Sequence, residues 1–159
     1  NKVRSVDASF SGWLVALACY PPFTDAFAKW APWHTSDYSW FGSAETTFAI
    51  RIVLLLLLLG YVAATVSLGT KCSNLTNRGI VTRGAYAIVR HPAYICKNLF
   101  WWIVLIPAIP NTPLAILGMA FWTLIYYFRA ITEERHLTKD PDYQLYCEKV
   151  KWRFVPGVI

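Results

Sequence analysis

An all-α, polytopic transmembrane helical bundle is the fold class this sequence predicts, and three observations predict it. Of 159 residues, 56% are hydrophobic and the mean hydropathy is +0.38, which is more apolar than a soluble domain of this length can bury. The apolar residues fall in long runs parted by short breaker sequences rather than alternating with polar ones. Eight Trp, nine Tyr and nine Phe exceed what a small core needs and suit the headgroup-level belts of a bilayer. The net charge of +6 is spread between apolar runs instead of gathered on one face, which argues against nucleic acid as a partner and for membrane topology signals.

Taken in order, Phe10 to Tyr20 is apolar but short and is interrupted by Pro21-Pro22; with Phe23 to Trp30 it reads as a broken span or a re-entrant piece. The stretch APWHTSDYSWFG that follows reads as an interfacial loop anchored by Trp30, Trp33, Trp40 and Phe41. Residues 1–44 thus form an N-terminal segment and loop. Residues 45–69 carry FAIRIVLLLLLLGYVAATVSLG, long enough to cross about 30 Å of hydrocarbon at about 1.5 Å per residue. Arg51, near its start, can snorkel to the interface. Residues 70–159 contain a helical hairpin over 94–131, its arms Tyr94 to Ile109 and Leu114 to Ile131 parted by PNTP at 110–113. After it, Asp140-Pro141 supplies an N-cap and a proline for the first helical turn, so PDYQLYCEKVKW is a short C-terminal helix with Tyr143, Tyr146, Cys147 and Val150 on one face. The total is about three to four spans.

Orientation follows from the cations. Both open ends of a hairpin lie on one side, and here they are flanked by Arg83, Arg90 and Lys97 on one arm and Arg129, Arg135 and Lys139 on the other. The positive-inside rule assigns that side, and with it the C-terminus, to the cytoplasm. Lys71 and Arg78 join it, as do Lys2 and Arg4 if the first segment crosses. Lys29 and Arg51 fall on the far side, beside Asp25, Asp37 and Glu45.

Four cysteines, Cys19, Cys72, Cys96 and Cys147, show neither a CxxC pair nor a Cys/His spacing suited to zinc, so no metal site is expected. His34 reads as a loop histidine and His136 as a surface one. The chain begins without Met and shows no signal peptide, which fits a trimmed chain or the C-terminal part of a longer one.

The chemistry gathers in two polar clusters that flank the hairpin: RGIVTRGAYAIVRHPAY, Arg78 to Tyr94, and RAITEERHL, Arg129 to Leu137. A fold-back brings them together, and charges at a membrane edge are costly unless they pair or bind a ligand, so a pocket opening to the cytoplasm is expected there. Read singly, each arginine is equally well a topology signal and each glutamate its partner. Arg129 and Glu133 share a helix face, Glu133 and Glu134 are adjacent carboxylates, and Pro92 fixes the direction of Arg90, His91 and Tyr94. Such a site offers cations to a carboxylate, carboxylates to an ammonium or a ribose, and rings to an adenine.

At these residues the sequence resembles the isoprenylcysteine carboxyl methyltransferases and bacterial phospholipid methyltransferases. The pattern is carried by RGAY, RHPAY, EERHL and YQLYCEKVKWRFVP, over about the C-terminal half. The resemblance implies that 70–159 is a cofactor-binding catalytic core holding S-adenosylmethionine, with methyl transfer to a lipophilic acceptor from the bilayer. It implies Arg90, Glu133 and Glu134 as catalytic residues, and His91, Tyr94, Arg90, Glu133, Glu134, Arg129 and Arg153 around the cofactor. The acceptor would attack the methyl group in line, with Glu133, Glu134 or His91 as base where the acceptor must lose a proton. The chain departs from the family at Ala85, where Pro is usual, and at Cys96, where Gly is usual, so the Cys96 side chain is expected to narrow the site. Two other readings stand beside this one. The tail YCEKVKWRFVPGVI also looks like the ending of membrane sterol reductases that use a nicotinamide cofactor, although no glycine-rich phosphate loop is present. A non-catalytic family member, retained as a subunit of a larger membrane assembly, is the third.

Overall fold

The computed structural model describes residues 2–30, 39–71 and 75–158, so Trp33, His34, Asp37 and Cys72 lie outside the described residues. The fold is all-α: six α-helices and one two-residue strand pair among the described residues.

Helix α1 (Phe10–Ala18) starts where Ser9 Oγ accepts from the Gly12 N–H at 3.2 Å and ends just before Pro21-Pro22; α2 (Phe23–Trp30) follows the break. Helix α3 (Ala44–Leu68) is capped by Ser43 Oγ, which accepts from Thr46 N–H at 3.1 Å, and stops at Gly69, whose φ of 51° favours a residue without a side chain. At 25 residues α3 is about 37 Å long. Its apolar stretch has a mean hydropathy of 2.4 yet only 11% of it is buried, the opposite of a soluble core helix. Phe48, Leu56 and Val66 point away from the protein, and lipid is the medium that accepts them without cost.

The hairpin forms as expected, with shifted ends. Helix α4 (Pro92–Leu105) begins at its proline, which needs no hydrogen-bond acceptor in the first turn, and tightens into a 3-10 turn at Ile106–Ala108. Helix α5 (Ala115–Leu137) continues past Ile131 and carries both glutamates within its last two turns. Leu105, Ala115 and Met119 close the loop end of the hairpin with Trp101 and Trp102, and the Trp102 indole donates to Thr123 Oγ1 at 2.9 Å. By length and hydropathy α3 and α5 can each cross a membrane, and Pro92–Ala108 forms a shorter apolar helix beside them.

Helix α4 packs most extensively against α3, and α1 against α5. Close approach of α3 to α4 depends on Gly60, where an added Cβ would lie 3.1 Å from Cys96 Sγ. Cys96 therefore sits at a helix crossing and does not line the central cavity, which corrects the expectation that it narrows the site.

The polar clusters that flank the hairpin collect at the other end of the bundle. Strand β1 (Ser5–Val6) pairs antiparallel with β2 (Thr76–Asn77), holding the N-terminus against the segment that leaves α3. Helix α6 (Pro141–Lys149) is capped by Asp140 and buries Tyr143, Tyr146 and Val150 against Ile80 and Leu137. Asp140 Oδ2 also accepts from Arg4 at 2.9 Å and from Asn77 Nδ2 at 2.6 Å. Burial alone would raise the Asp140 pKa, but the bonds from Arg4 and Asn77 outweigh it and hold the carboxyl below its usual range. His136 is buried, its Nε2 3.2 Å from Ser5 Oγ, rather than lying on the surface as its sequence context suggested.

Gly60→Ala is expected to lower thermal stability in detergent by about 1–3 kcal/mol through overpacking, and Cys96→Ala in the same chain to restore most of it. An unchanged melting temperature for Gly60→Ala would show that the α3–α4 contact is loose. Because the folded pKa of Asp140 is depressed, its contribution is complete above the unfolded value of about 4 and is lost as pH falls through the folded value. Asp140→Ala should cost about 1 kcal/mol at neutral pH through the lost cap and flatten the acid limb of the stability curve.

Candidate functional site

The site is built where the C-terminal tail crosses the start of α4. Backbone N–H groups of Arg90 and His91 donate to the Trp152 and Arg153 carbonyls at 3.0 and 3.1 Å. His91 is the N-cap residue of α4 but makes no side-chain cap; its ring is turned to α5 instead. There Glu134, almost fully buried, receives three cationic or imidazole donors. His91 Nε2 lies 3.0 Å from Oε1, while Arg90 Nη1 at 3.3 Å and Arg153 Nη2 at 2.8 Å share Oε2. Arg90 also donates to the Lys151 carbonyl and to Cys147 Sγ, and Tyr146 donates to the Tyr86 carbonyl at 2.7 Å. Burial and the nearby Glu134 charge push the Tyr143 phenol up, so it stays neutral.

The twin carboxylates part company. Neighbouring residues on an α-helix point about 100° apart, so Glu134 enters the clamp while Glu133 faces the space between α3, α4 and α5. Tyr94 donates to Glu133 Oε2 at 3.0 Å. The Tyr94 ring stacks on His91 at 5.3 Å and 4°, so the clamp that orients His91 also orients Tyr94.

That space is a cavity of about 560 Å³ walled by α1, α3, α4 and α5, a size usual for small-molecule sites. Arg90, His91, Tyr94, Arg129 and Glu133 line it, whereas Glu134 and Arg153 stand behind its wall. Arg129 does not pair with Glu133. Its guanidinium reaches the Tyr20 hydroxyl at 3.4 Å and lies over the rings of Tyr20, Tyr94 and Tyr126. Lys97 donates to the Tyr126 hydroxyl at 2.7 Å and sits 4.7 Å from the Trp101 ring centre. A smaller cavity of about 70 Å³ adjoins it, sharing Leu68, Tyr86, Arg90, His91 and Glu133 and adding Lys71, Arg78 and Gly79.

Sequence reasoning missed Tyr20, Tyr61, Lys97 and Tyr126. A signal existed for Tyr126, which precedes Arg129 by three residues and Glu133 by seven, the spacing of one helix face. Lys97 was read only as a topology charge. Nothing local marked Tyr20 or Tyr61, because α1 and α3 carry no motif and meet the site only through packing.

Comparison with known proteins then separates the functional readings. A family described as protein of unknown function (DUF1295) matches residues 30–150, about three quarters of the chain. The chain belongs to this family. Over 83 residues, 50% of the chain, it is 37% identical to a 7-dehydrocholesterol reductase of Arabidopsis thaliana, and the match covers 19% of that protein. The chain thus spans about a fifth of the length of this relative. No solved structure matches. Two expectations are corrected by these findings. An S-adenosylmethionine-dependent methyltransferase is not supported, since the curated relative is a reductase and neither match is to an isoprenylcysteine carboxyl methyltransferase; S-adenosylmethionine as cofactor falls with it. The geometry gives the physical reason the motifs misled. Arg90, His91 and Glu134 bind one another, so RHPAY and EERHL report closure of the hairpin rather than one particular cofactor.

Glu134→Gln removes the charge that three partners share and leaves their positive charge buried without compensation. A loss on the order of 3 kcal/mol or more is expected, against less than about 1 kcal/mol for Glu133→Gln. Denaturant unfolding in micelles measures both, and equal losses would contradict the division of the pair.

Proposed function

We propose that this chain forms the cofactor and substrate site of a membrane reductase that adds hydrogen across a carbon–carbon double bond of a lipophilic, sterol-like compound. One observation carries the reading: two adjoining cavities share Leu68, Tyr86, Arg90, His91 and Glu133, one a cationic mouth among loop residues and the other an aromatic interior among membrane helices. A water-soluble reductant and a bilayer-soluble substrate can meet only in such a space. The similarity to a segment of a sterol reductase supports the same chemistry, and the apolar exposure of α3 supports delivery of the substrate from lipid.

A nicotinamide dinucleotide is the cofactor this chemistry calls for, and the cations at the mouth suit its phosphates. Lys71 and Arg78 are held there by the Ile80 and Thr70 carbonyls rather than by carboxylates, so their charge remains for phosphates. Arg78 Nε is buried without a hydrogen-bond partner, as expected of a group that awaits an anion. When bound, the dinucleotide supplies hydride. The rest falls to the protein. Tyr94 gives the proton that completes the addition, and Glu133, which lines both cavities, returns one to the phenolic oxygen from the aqueous side. Glu134, through His91, fixes the ring of Tyr94. The walls from α1 and α3 exclude water from the reacting carbons. The mouth, rich in Lys and Arg, faces the cytoplasm under the positive-inside rule.

The test uses the full chain in lipid nanodiscs, with binding of NADPH and NADH followed by calorimetry and turnover of a sterol diene by loss of its ultraviolet absorbance. Saturable nucleotide binding and substrate-dependent oxidation are expected. Tyr94→Phe should cut turnover about 100-fold, on the order of 3 kcal/mol in the barrier, with nucleotide affinity unchanged. Absence of binding to either nucleotide sinks the reading.

A further inference from the structure

The deep end of the central cavity holds two cations, Lys97 and Arg129, that no ion pair among the described residues neutralises. Arg129 is 8% exposed and lines the cavity, and its Nε is buried without a hydrogen-bond partner. Lys97, also on the lining, is held among the described residues by the Tyr126 hydroxyl and the ring faces of Trp101 and Tyr126. Among the described residues neither cation forms an ion pair: Glu133 is bonded to Tyr94, and Glu134 is bonded to Arg90, His91 and Arg153. Around the two cations the cavity is lined by Cys19 and Tyr20 just after α1, Tyr61 on α3 and Tyr94 on α4, which are neutral, and towards the clamp by His91, Arg90 and Glu133, of which Arg90 is paired with Glu134 and Glu133 accepts from Tyr94.

Aromatic faces and a hydroxyl offset only part of the cost of burying a cation, and two cations lining one space repel each other. Charges inside a membrane bundle that lack a partner in the protein mark a ligand pathway. Lys97 lies more than one turn inside α4, and Arg129 two turns before the end of α5, with Ala16, Leu17 and Leu68 among their cavity neighbours. An anion reaching that depth is best carried there by an apolar tail.

We infer that Arg129 and Lys97 form an oxyanion subsite for the head of a lipophilic acid, a bilayer-borne molecule bearing a carboxylate or phosphate. Binding at the subsite stands on its own geometry; that its occupant is the substrate, a sterol-like skeleton bearing an acidic group, rests on the reductase reading. The nucleotide phosphates at Lys71 and Arg78 are a separate set of contacts.

Oleate, oleyl alcohol and NADPH serve as probes, titrated by calorimetry into the full chain in nanodiscs, for wild type, Lys97→Met and Arg129→Gln. Wild type should prefer oleate to the alcohol by about tenfold or more, and both variants should reduce that preference to about twofold or less. Melting temperatures provide a second reading: oleate should raise that of wild type and leave the variants unmoved, while the variants without ligand should melt no lower than wild type, because an uncompensated charge has gone. Equal binding of oleate and the alcohol by wild type overturns the inference. So does a preference that survives both substitutions, or a loss in both variants confined to NADPH. Charge preference for oleate without nucleotide binding would uphold the subsite and remove the reductase reading; nucleotide binding without charge preference would do the reverse.

Discussion

One buried carboxylate holds the polar end of this bundle together. Glu134 is brought by α5, His91 and Arg90 by the start of α4, and Arg153 by the tail after α6, so three stretches of chain far apart in sequence end on two oxygen atoms. A charge in that position is unfavourable alone and becomes tolerable only when all its partners arrive. The interaction therefore acts less as a source of stability than as a condition on geometry. The hairpin must close in one register, and the tail must cross the start of α4, or charge is left stranded.

The consequences spread outward from that clamp. His91, fixed by Glu134, stacks on Tyr94, and Tyr94 meets Glu133 across the cavity. The helical rotation between residues 133 and 134 sends one carboxylate into the structure and leaves the other at the ligand space. Adjacent identical residues thus serve different ends, one positional and one open to chemistry.

Elsewhere, conventional rules of packing and solvation apply in unequal measure. Helix α3 gives most of its surface to lipid and contributes to the cavity only through its last turns, at Tyr61, Thr65 and Leu68. Its contact with α4 depends on a glycine that admits a sulfur atom. The N-terminal strand, tied to β2 and through Arg4 to Asp140, keeps α1 beside α5 so that Tyr20 can reach Arg129. A short polar strap outside the membrane thereby completes a wall inside it.

The sequence alone determined the membrane class, the long span, the hairpin and the capped last helix, because each depends on local rules: run length, proline and glycine breaks, and cap residues within a few positions. It also told which residues would be brought together, since a hairpin has only one way to join its open ends. It did not tell what they would do there. The turn of α5 that separates Glu133 from Glu134, the burial of His136, and the arrival of Tyr20 and Tyr61 from elements without motifs were decided by tertiary packing. Whether a charged side chain binds its neighbour or faces an empty space depends on helix rotation and on contacts across the bundle, and neither is written in any short window of residues.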